Sequence, residues 1–384
     1  MPKQTPTLIN MLEQLVGSMS VSSTSEAWDS SNREVIDLLA AWLDGLGFET
    51  HIQVVNEKKN KANLIATLGK GSGGLVLSGH TDTVPFDESL WQTNPLAITE
   101  VGNKLFGLGS TDMKGFFPIA IEAAKSFIDK PLKHPLIILA TCDEESSMDG
   151  ARALARANQS LGRFAVIGEP TDLKPIRVHK GVMMEAITVT GRSGHSSNPA
   201  LGNSALEAMT VVMTDLMQFR HELQEKNKHP MFEVPVPTMN LGCIHGGDNP
   251  NRICGECELH FDLRPLPGMT LEELRQSISN RLTPIAHQLG VNISLRPLMP
   301  GVAPFEQDAD SELVKIAEQL TGNVSEAVSF GTEAPFLQSL GMETIVMGPG
   351  SIDCAHQPDE FLPTQQIRPA IELLEQLIDR FCRQ

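Results

Sequence analysis

The chain has 384 residues, more than one average hydrophobic core accommodates, so two domains are expected. Its apolar fraction of 41% and its mean hydropathy of -0.10 are typical of a globular protein in water. The net charge of −17 argues against nucleic acid and anionic membrane surfaces as partners, because both require a basic face.

The sequence also lacks the usual signals for export or membrane insertion. Residues 1–21 contain one lysine and no long apolar run, so they do not resemble a signal peptide. No window of about 20 apolar residues occurs elsewhere. Six cysteines in so long a chain do not form a disulfide scaffold. We therefore expect a protein of the reducing cytoplasm.

The first part of the chain alternates between helices and strands. Apolar residues at helical spacing predict helices over 7–17 and 30–47. Strands are predicted over 62–68 and 74–79, and the glycine-rich turn between them indicates a hairpin. The elements predicted next are a helix near 113–129, a strand at 135–141, a helix near 149–158 and a strand at 164–167. This alternation is typical of an α/β fold with a mostly parallel sheet and right-handed crossovers.

The pattern changes near residue 180 and changes back near residue 300. The intervening elements are a strand at 182–190, a helix at 202–223, strands at 236–246 and 253–264, a helix at 270–288 and a strand at 292–297. This βαββαβ order is that of a ferredoxin-like unit. Further α/β elements follow, namely helices at 310–321, 333–340 and 364–382 and a strand at 344–347. We therefore predict a catalytic domain of residues 1–179 and 299–384 and an inserted domain of residues 180–298.

Residues that can bind a metal follow almost every buried strand of the predicted sheet. His80 and Asp82 come directly after the strand at 74–79. The other candidates are Asp112, at the start of a helix, and Glu144, Glu145, Glu169 and His356. Because ligands bind at the carboxyl ends of strands in such sheets, we expect these side chains to lie together. Carboxylates packed together repel one another unless a cation lies between them.

This set of side chains indicates the metal and the chemistry. Two histidines with several carboxylates and no thiolate suit zinc, cobalt or manganese, with a position open for water. There are more ligands than one tetrahedral ion needs, so two ions about 3.5–4 Å apart are expected. A carboxylate that is not a ligand must take the proton of the attacking water. The neighbours Glu144 and Glu145 fit, because one can bind metal while the other acts as base.

Eight short strings carry a resemblance to a known family. They are G-H-T-D-T-V-P (79–85), S-T-D-M-K-G (110–115), D-E-E (143–145), G-E-P-T (168–171), S-G-H-S-S (193–197), F-D-L-R-P-L-P-G-M (261–269), G-T-E-A-P-F (331–336) and G-P-G-S-I-D-C-A-H-Q-P-D-E (348–360). In order and spacing they resemble the dizinc deacylase and carboxypeptidase family, which includes succinyl-diaminopimelate desuccinylase and the aminoacylases. The resemblance covers roughly the whole chain.

The resemblance implies a role for each candidate residue of the metal site. It implies that His80 and Glu169 bind one zinc ion, that Glu145 and His356 bind the other, and that Asp112 bridges them. Two zinc ions per subunit follow, for which cobalt can substitute. The remaining implied roles are Asp82 as the residue that orients His80, Glu144 as general base, His195 as the group that stabilises the oxyanion, and a cis peptide bond between Asp112 and Met113.

The resemblance also implies an activity and an assembly. The expected reaction is hydrolysis of the acetyl amide of N2-acetyl-L-ornithine, a step of arginine biosynthesis. A related deacylase, such as one for succinyl-diaminopimelate or a broad range of acyl amino acids, is the alternative. A non-catalytic relative would lack Glu144 or a ligand, and none is missing. The inserted domain is implied to act as a lid and to join two subunits in a homodimer.

The small-molecule substrate needs a cation for its carboxylate. Candidate cations are Lys180, Arg252 and Arg264, and bidentate geometry favours an arginine. Further hydrogen bonds are expected from Asn251 and from the backbone of Gly331 and Thr332.

Three other features have open interpretations. Glu333 either binds a substrate amine or caps its helix. Cys254 and Cys257 have zinc-finger spacing, but no second pair is near, so core packing is favoured. Cys354 lies two residues before His356, where it could approach a metal or make the enzyme sensitive to oxidation.

Overall fold

The computed structural model describes residues 5–159 and 161–384, in two compact units. Unit 1 comprises Met1–Arg177, Gln307–Glu326 and Thr332–Gln384, apart from residues 1–4 and 160. Unit 2 comprises Val178–Glu306 and Ala327–Gly331. Within the described ranges, no helix is both long and apolar enough to cross a membrane.

The strands of the described residues are numbered in chain order. They are β1 (Glu49–Asn56), β2 (Lys61–Leu68), β3 (Leu75–His80), β4 (Thr99–Val101), β5 (Lys104–Phe106), β6 (Leu136–Thr141), β7 (Phe164–Pro170), β8 (Ile176–His179), β9 (Met183–Thr190), β10 (Thr238–Gly246), β11 (Glu256–Arg264), β12 (Asn292–Pro297), β13 (Phe305–Glu306), β14 (Glu326–Val328), β15 (Glu343–Gly348) and β16 (Phe361–Pro363).

The helices are numbered in the same way. They are α1 (Leu8–Gly17), α2 (Arg33–Gly45), α3 (Phe116–Lys125), α4 (Asp149–Ala157), α5 (Ala205–Lys226), α6 (Leu271–Leu289), α7 (Glu312–Thr321), α8 (Ala334–Ser339) and α9 (Thr364–Ile378). Short 3-10 turns lie at Glu88–Leu90, Pro199–Leu201 and Ile352–Cys354.

Unit 1 is built on a mixed sheet with the order β1-β2-β6-β3-β7-β15. The central strands β6, β3, β7 and β15 run parallel, as the sequence predicts. Every residue of β3 and of β6 is buried, so both faces of the sheet are covered. The parallel strands therefore bring their carboxyl ends to one edge of the sheet.

The predicted hairpin between 62–68 and 74–79 is wrong, because β6 lies between β2 and β3. β2 pairs antiparallel with β1 and β6, and the sequence prediction omits β1. The chain after β2 passes closely around the start of β6 instead of folding back. Gly74 shows this, since a Cβ there would lie 1.9 Å from the carbonyl oxygen of Pro135. Its φ of +82° is also one that only glycine adopts readily.

Unit 2 contains an antiparallel sheet with the order β10-β11-β9-β12. With α5 and α6 the chain order is βαββαβ, the predicted ferredoxin-like arrangement. Its own core includes Ile187 and Leu259 of the sheet and Val212 and Ile278 of the two helices.

Candidate active site

Strand ends and the loops after them position the predicted metal ligands of unit 1. His80 is the last residue of β3, and Glu169 lies near the end of β7. Glu144 and Glu145 follow β6 in a short turn, Asp112 precedes α3, and His356 follows β15. The structure brings all six side chains into one cluster at this edge of the sheet.

Asp112 stands at the centre of the cluster because its two oxygens face different histidines. Its Oδ1 lies 3.0 Å from Nε2 of His80, and its Oδ2 lies 3.3 Å from Nε2 of His356. The peptide bond between Asp112 and Met113 is cis, as the family resemblance implies. A carboxylate with one oxygen toward each histidine is suited to bridging two cations.

Each histidine has a second carboxylate beside it. Oε1 of Glu169 is 3.9 Å from Nε2 of His80. Oε2 of Glu145 is 2.9 Å from Nε2 of His356. Glu144 also belongs to the cluster, because one of its oxygens lies within 4.8 Å of ligand atoms of His80 and Glu169. The donors therefore form two neighbouring sets, which fits two divalent ions rather than one.

The electrostatics of the cluster are those of a cation site. Burial, and then the charge of Glu169, raises the pKa of Glu144 well above its usual range. Burial and Asp112 do the same for the pKa of Glu169. Hydrogen bonds to Asp112 and Glu145 raise the pKa of His356 to about 10. Carboxyl and imidazole groups thus retain protons, which bound cations would displace.

His80 is oriented by the backbone of Asp82. The Nδ1 atom of His80 lies 3.0 Å from the carbonyl oxygen of Asp82 and donates to it. This leaves Nε2 unprotonated in the neutral ring and available to a metal. The Asp82 carboxylate lies 3.7 Å from the ring at Oδ1, and its Oδ2 accepts from the backbone N–H of Glu145.

Two buried charged residues that sequence reasoning missed hold the ligand loops. Lys61 donates to Asp143 Oδ1 at 2.7 Å, directly before the Glu144–Glu145 pair. Glu360 accepts from the backbone N–H groups of Gly109, Thr111 and Asp112. Glu360 is the last residue of the string at 348–360 that carries the family resemblance, which is the only sequence signal that points to it.

Unit 2 brings His195, Asn251 and Arg252 together. His195 and Arg252 form a backbone bridge, and the carbonyl of Asn251 accepts from Ser196 N–H. The backbone N–H of Ser197 donates to Nδ1 of His195 at 3.2 Å. A neutral His195 therefore carries its proton on Nε2, where it can be donated. The Arg252 guanidinium is exposed and pairs with Asp248.

The other predicted substrate residues have partners within their own unit. Lys180 is buried, and its ammonium donates to the carbonyls of Val234 and Val236. The Arg264 guanidinium donates through Nε to Asp262. Gly331 belongs to unit 2, and Thr332 to unit 1, where its hydroxyl accepts from Ala334 N–H at the start of α8.

The structure decides between some of the alternatives that the sequence leaves open for Glu333 and the cysteines. Glu333 precedes α8 but makes no capping hydrogen bond, so that interpretation is wrong. It is buried, and burial raises its pKa to about 7. Cys257 is buried in the core of unit 2, as core packing requires. Burial raises the pKa of the Cys354 thiol, which makes it less reactive.

A groove of about 920 Å³ lies beside His356 in unit 1. Its walls are largely apolar and include Trp28, Phe86 and Trp91. Its acidic residues are Asp29, Asp87 and Glu88, and no lysine or arginine is among the lining residues. The groove therefore suits an aliphatic or cationic group and disfavours a carboxylate.

The fold and this site define a metallohydrolase with a mixed α/β sheet. The chain belongs to Peptidase family M20/M25/M40, whose sequence pattern matches residues 76–380. It is accordingly a hydrolase that acts on amide bonds.

Sequence relatives agree with this membership. The chain is 47% identical over 382 residues to a protein of Klebsiella pneumoniae named acetylornithine deacetylase, and the match covers 100% of both chains. It is 49% identical over 383 residues to one of that name from Edwardsiella ictaluri, again over 100% of both.

The solved structures share the fold. A Staphylococcus aureus tripeptidase superimposes with a TM-score of 0.75 at 19% identity over 98% of each chain. A metallo-carboxypeptidase of family M20 from Sulfolobus solfataricus has a TM-score of 0.74 at 16% identity, over 97% of this chain and 98% of that one.

Proposed function

We propose that the chain removes the acetyl group from N2-acetyl-L-ornithine, giving L-ornithine and acetate in arginine biosynthesis. Two zinc ions serve this reaction, and cobalt can replace them. The relatives named acetylornithine deacetylase, at 47% and 49% identity over their whole length, support this substrate.

The observation that carries the proposal is the position of Asp112 between the two histidines. Its oxygens lie 3.0 Å from His80 and 3.3 Å from His356, with a further carboxylate beside each ring. We assign His80 and Glu169 to one ion, Glu145 and His356 to the other, and Asp112 to both. When bound, such a pair of ions supplies an acidified water and polarises a carbonyl oxygen.

The proton transfers fall to Glu144. It lies beside His80 and Glu169 and is the carboxylate of the cluster that we assign to neither ion, so it takes the proton of the attacking water. It then delivers that proton to the leaving amine. His195 donates from Nε2 to the oxyanion, a role that its Ser197 contact favours by keeping Nδ1 unprotonated.

The groove beside His356 supports the substrate class. Its apolar walls accommodate the methylene chain of ornithine, and Asp87 and Glu88 favour the terminal ammonium. A succinyl carboxylate would meet Asp87 and Glu88 there, and no lysine or arginine lines the groove. For the substrate's own carboxylate we propose Arg252, because its guanidinium is exposed and an arginine offers bidentate hydrogen bonds.

A panel of matched substrates tests this function. We expect the highest kcat/KM with N2-acetyl-L-ornithine and a lower value with N-acetyl-L-norleucine, in which a methyl group replaces the ammonium. N-succinyl-diaminopimelate should be poor. A preference for the succinyl substrate, or no hydrolysis of any acyl amino acid with zinc present, would overturn the proposal.

We further propose that unit 2 serves as lid and as dimerisation domain of a cytoplasmic homodimer. All six cysteines are free thiols, which suits a reducing compartment. Sedimentation at micromolar concentration should give the mass of a dimer, and a monomer would contradict it.

A further inference from the structure

Glu360 is a buried hydrogen-bond acceptor for the loop that carries Asp112. Its Oε2 accepts from Gly109 N–H at 2.9 Å. Its Oε1 accepts from the N–H groups of Thr111, at 2.8 Å, and Asp112, at 2.9 Å. The side chain is only 2% exposed, so water cannot replace these bonds without opening the loop.

The three hydrogen bonds require that both carboxylate oxygens of Glu360 act as acceptors. An amide at this position offers one carbonyl oxygen and one NH2 group. Whichever way it turned, its NH2 would face at least one backbone N–H, leaving a buried donor without an acceptor. A carboxyl group is therefore matched to this loop, and its isosteric amide is not.

The segment around Glu360 is itself fixed to the same loop. The backbone carbonyl of Glu360 accepts from Gly107 N–H at 3.0 Å. The hydroxyl of Thr111 donates to the carbonyl of Phe361 at 2.8 Å, and β16 pairs with β5. Because His356 lies four residues before Glu360, one segment supplies a metal ligand and also holds the loop of the bridging ligand.

We propose that Glu360 is a positioning residue that fixes Asp112 between the two histidines before metal binds. It contacts the backbone of Asp112 and not the reacting atoms, so it acts through the geometry of the bridge. This inference rests on the proposed metal role of Asp112, and it extends that role to a residue outside the ligand set.

The test is zinc retention by purified protein in competition with a chelator. For Glu360→Gln we expect zinc affinity to fall about 10–100-fold, the range found when a residue that supports a metal ligand is lost. Glu360→Asp keeps the acid but is one methylene shorter, and should also lose affinity. It decides the outcome if the glutamine variant does not fold. The Co²⁺-loaded variants should show an altered visible spectrum, which reports the coordination geometry directly.

Glu185→Gln is the matched control, because Glu185 is a fully buried carboxylate of unit 2 that pairs with Arg275. It should lose thermal stability without losing zinc. Equal zinc affinity in wild type and a folded Glu360 variant would overturn the inference alone. Failure of the wild type to bind two zinc ions would overturn the proposed function, and this inference with it.

Discussion

Glu144 is the single side chain on which turnover should depend most. Its replacement by glutamine keeps the shape but removes the proton acceptor. We expect zinc content to remain at two per chain and kcat to fall by about 10²–10⁴-fold, the usual contribution of a positioned base. Glu100→Gln, an exposed change in β4, is the control for kcat. Near-normal turnover of the Glu144 variant would contradict the mechanism.

His179 should make the stability of unit 2 dependent on pH. Its ring is fully buried, packs near Phe305 and donates from Nδ1 to the carbonyl of Lys180. Burial lowers its pKa from 6.5 to about 4. The folded state thus stays neutral where the unfolded chain takes up a proton, so stability is lost as the pH falls from about 6.5 to 4.

The loss attributable to His179 is about 3 kcal/mol over that range, since each pKa unit is worth about 1.4 kcal/mol. Denaturant unfolding at pH 7 and pH 4 would measure it. His179→Phe should reduce the difference between the two pH values by that amount. His51→Gln, at an exposed position in β1, should leave the difference unchanged.

At the scale of elements, the turn from β2 into β3 depends on Gly74. An alanine there would place its Cβ 1.9 Å from the Pro135 carbonyl oxygen and would also have to adopt a φ of +82°. Gly322, which ends α7, has a φ of +70° but open space around it. We expect Gly322→Ala to cost about 1 kcal/mol of unfolding free energy and Gly74→Ala at least about 3 kcal/mol. Equal costs, measured by denaturant unfolding, would show that the close approach of β6 is unimportant.

The elements also show what the sequence can predict. The central strands are evident because strands buried on both faces read as unbroken apolar runs, as in the segment that becomes β6. β1 is only half-buried, and its pattern is weaker. The position of β6 between β2 and β3 could not be predicted, because local patterns do not record which strands pair.

At the candidate active site, too, local sequence patterns predict some residues, whereas contacts between distant segments cannot be predicted from them. His80, Glu169 and the Glu144–Glu145 pair could be predicted because they follow apolar strands at a known edge of the sheet. The role of Glu360 could not, since three backbone N–H groups from a distant loop define it. The hydrogen bond between His80 and the Asp82 carbonyl could not be predicted either, because it depends on the direction in which the backbone carbonyl points.

At the scale of the whole molecule, the two units have separate cores, and all five proposed ligands belong to unit 1. Zinc should therefore raise the unfolding temperature of unit 1 and leave that of unit 2 unchanged. At a free zinc concentration of 1,000 times Kd, the gain is about 4 kcal/mol for each ion bound. Calorimetry with zinc and with a chelator would measure it, and His356→Ala should abolish the shift. If zinc raised the temperatures of all unfolding transitions together, the prediction that the two units unfold independently would be contradicted.

The strand order of unit 1 has a consequence for how the chain is made. β15 pairs with β7, yet all of β8–β14 is synthesised between them. At about 5–20 residues per second, a ribosome needs on the order of ten to forty seconds to supply the missing strand. During that time the apolar edge of β7 has no neighbour on that side and is open to pairing with other nascent chains. We therefore expect the growing polypeptide to need a chaperone until β15 emerges, after which His356 follows and the metal site can close.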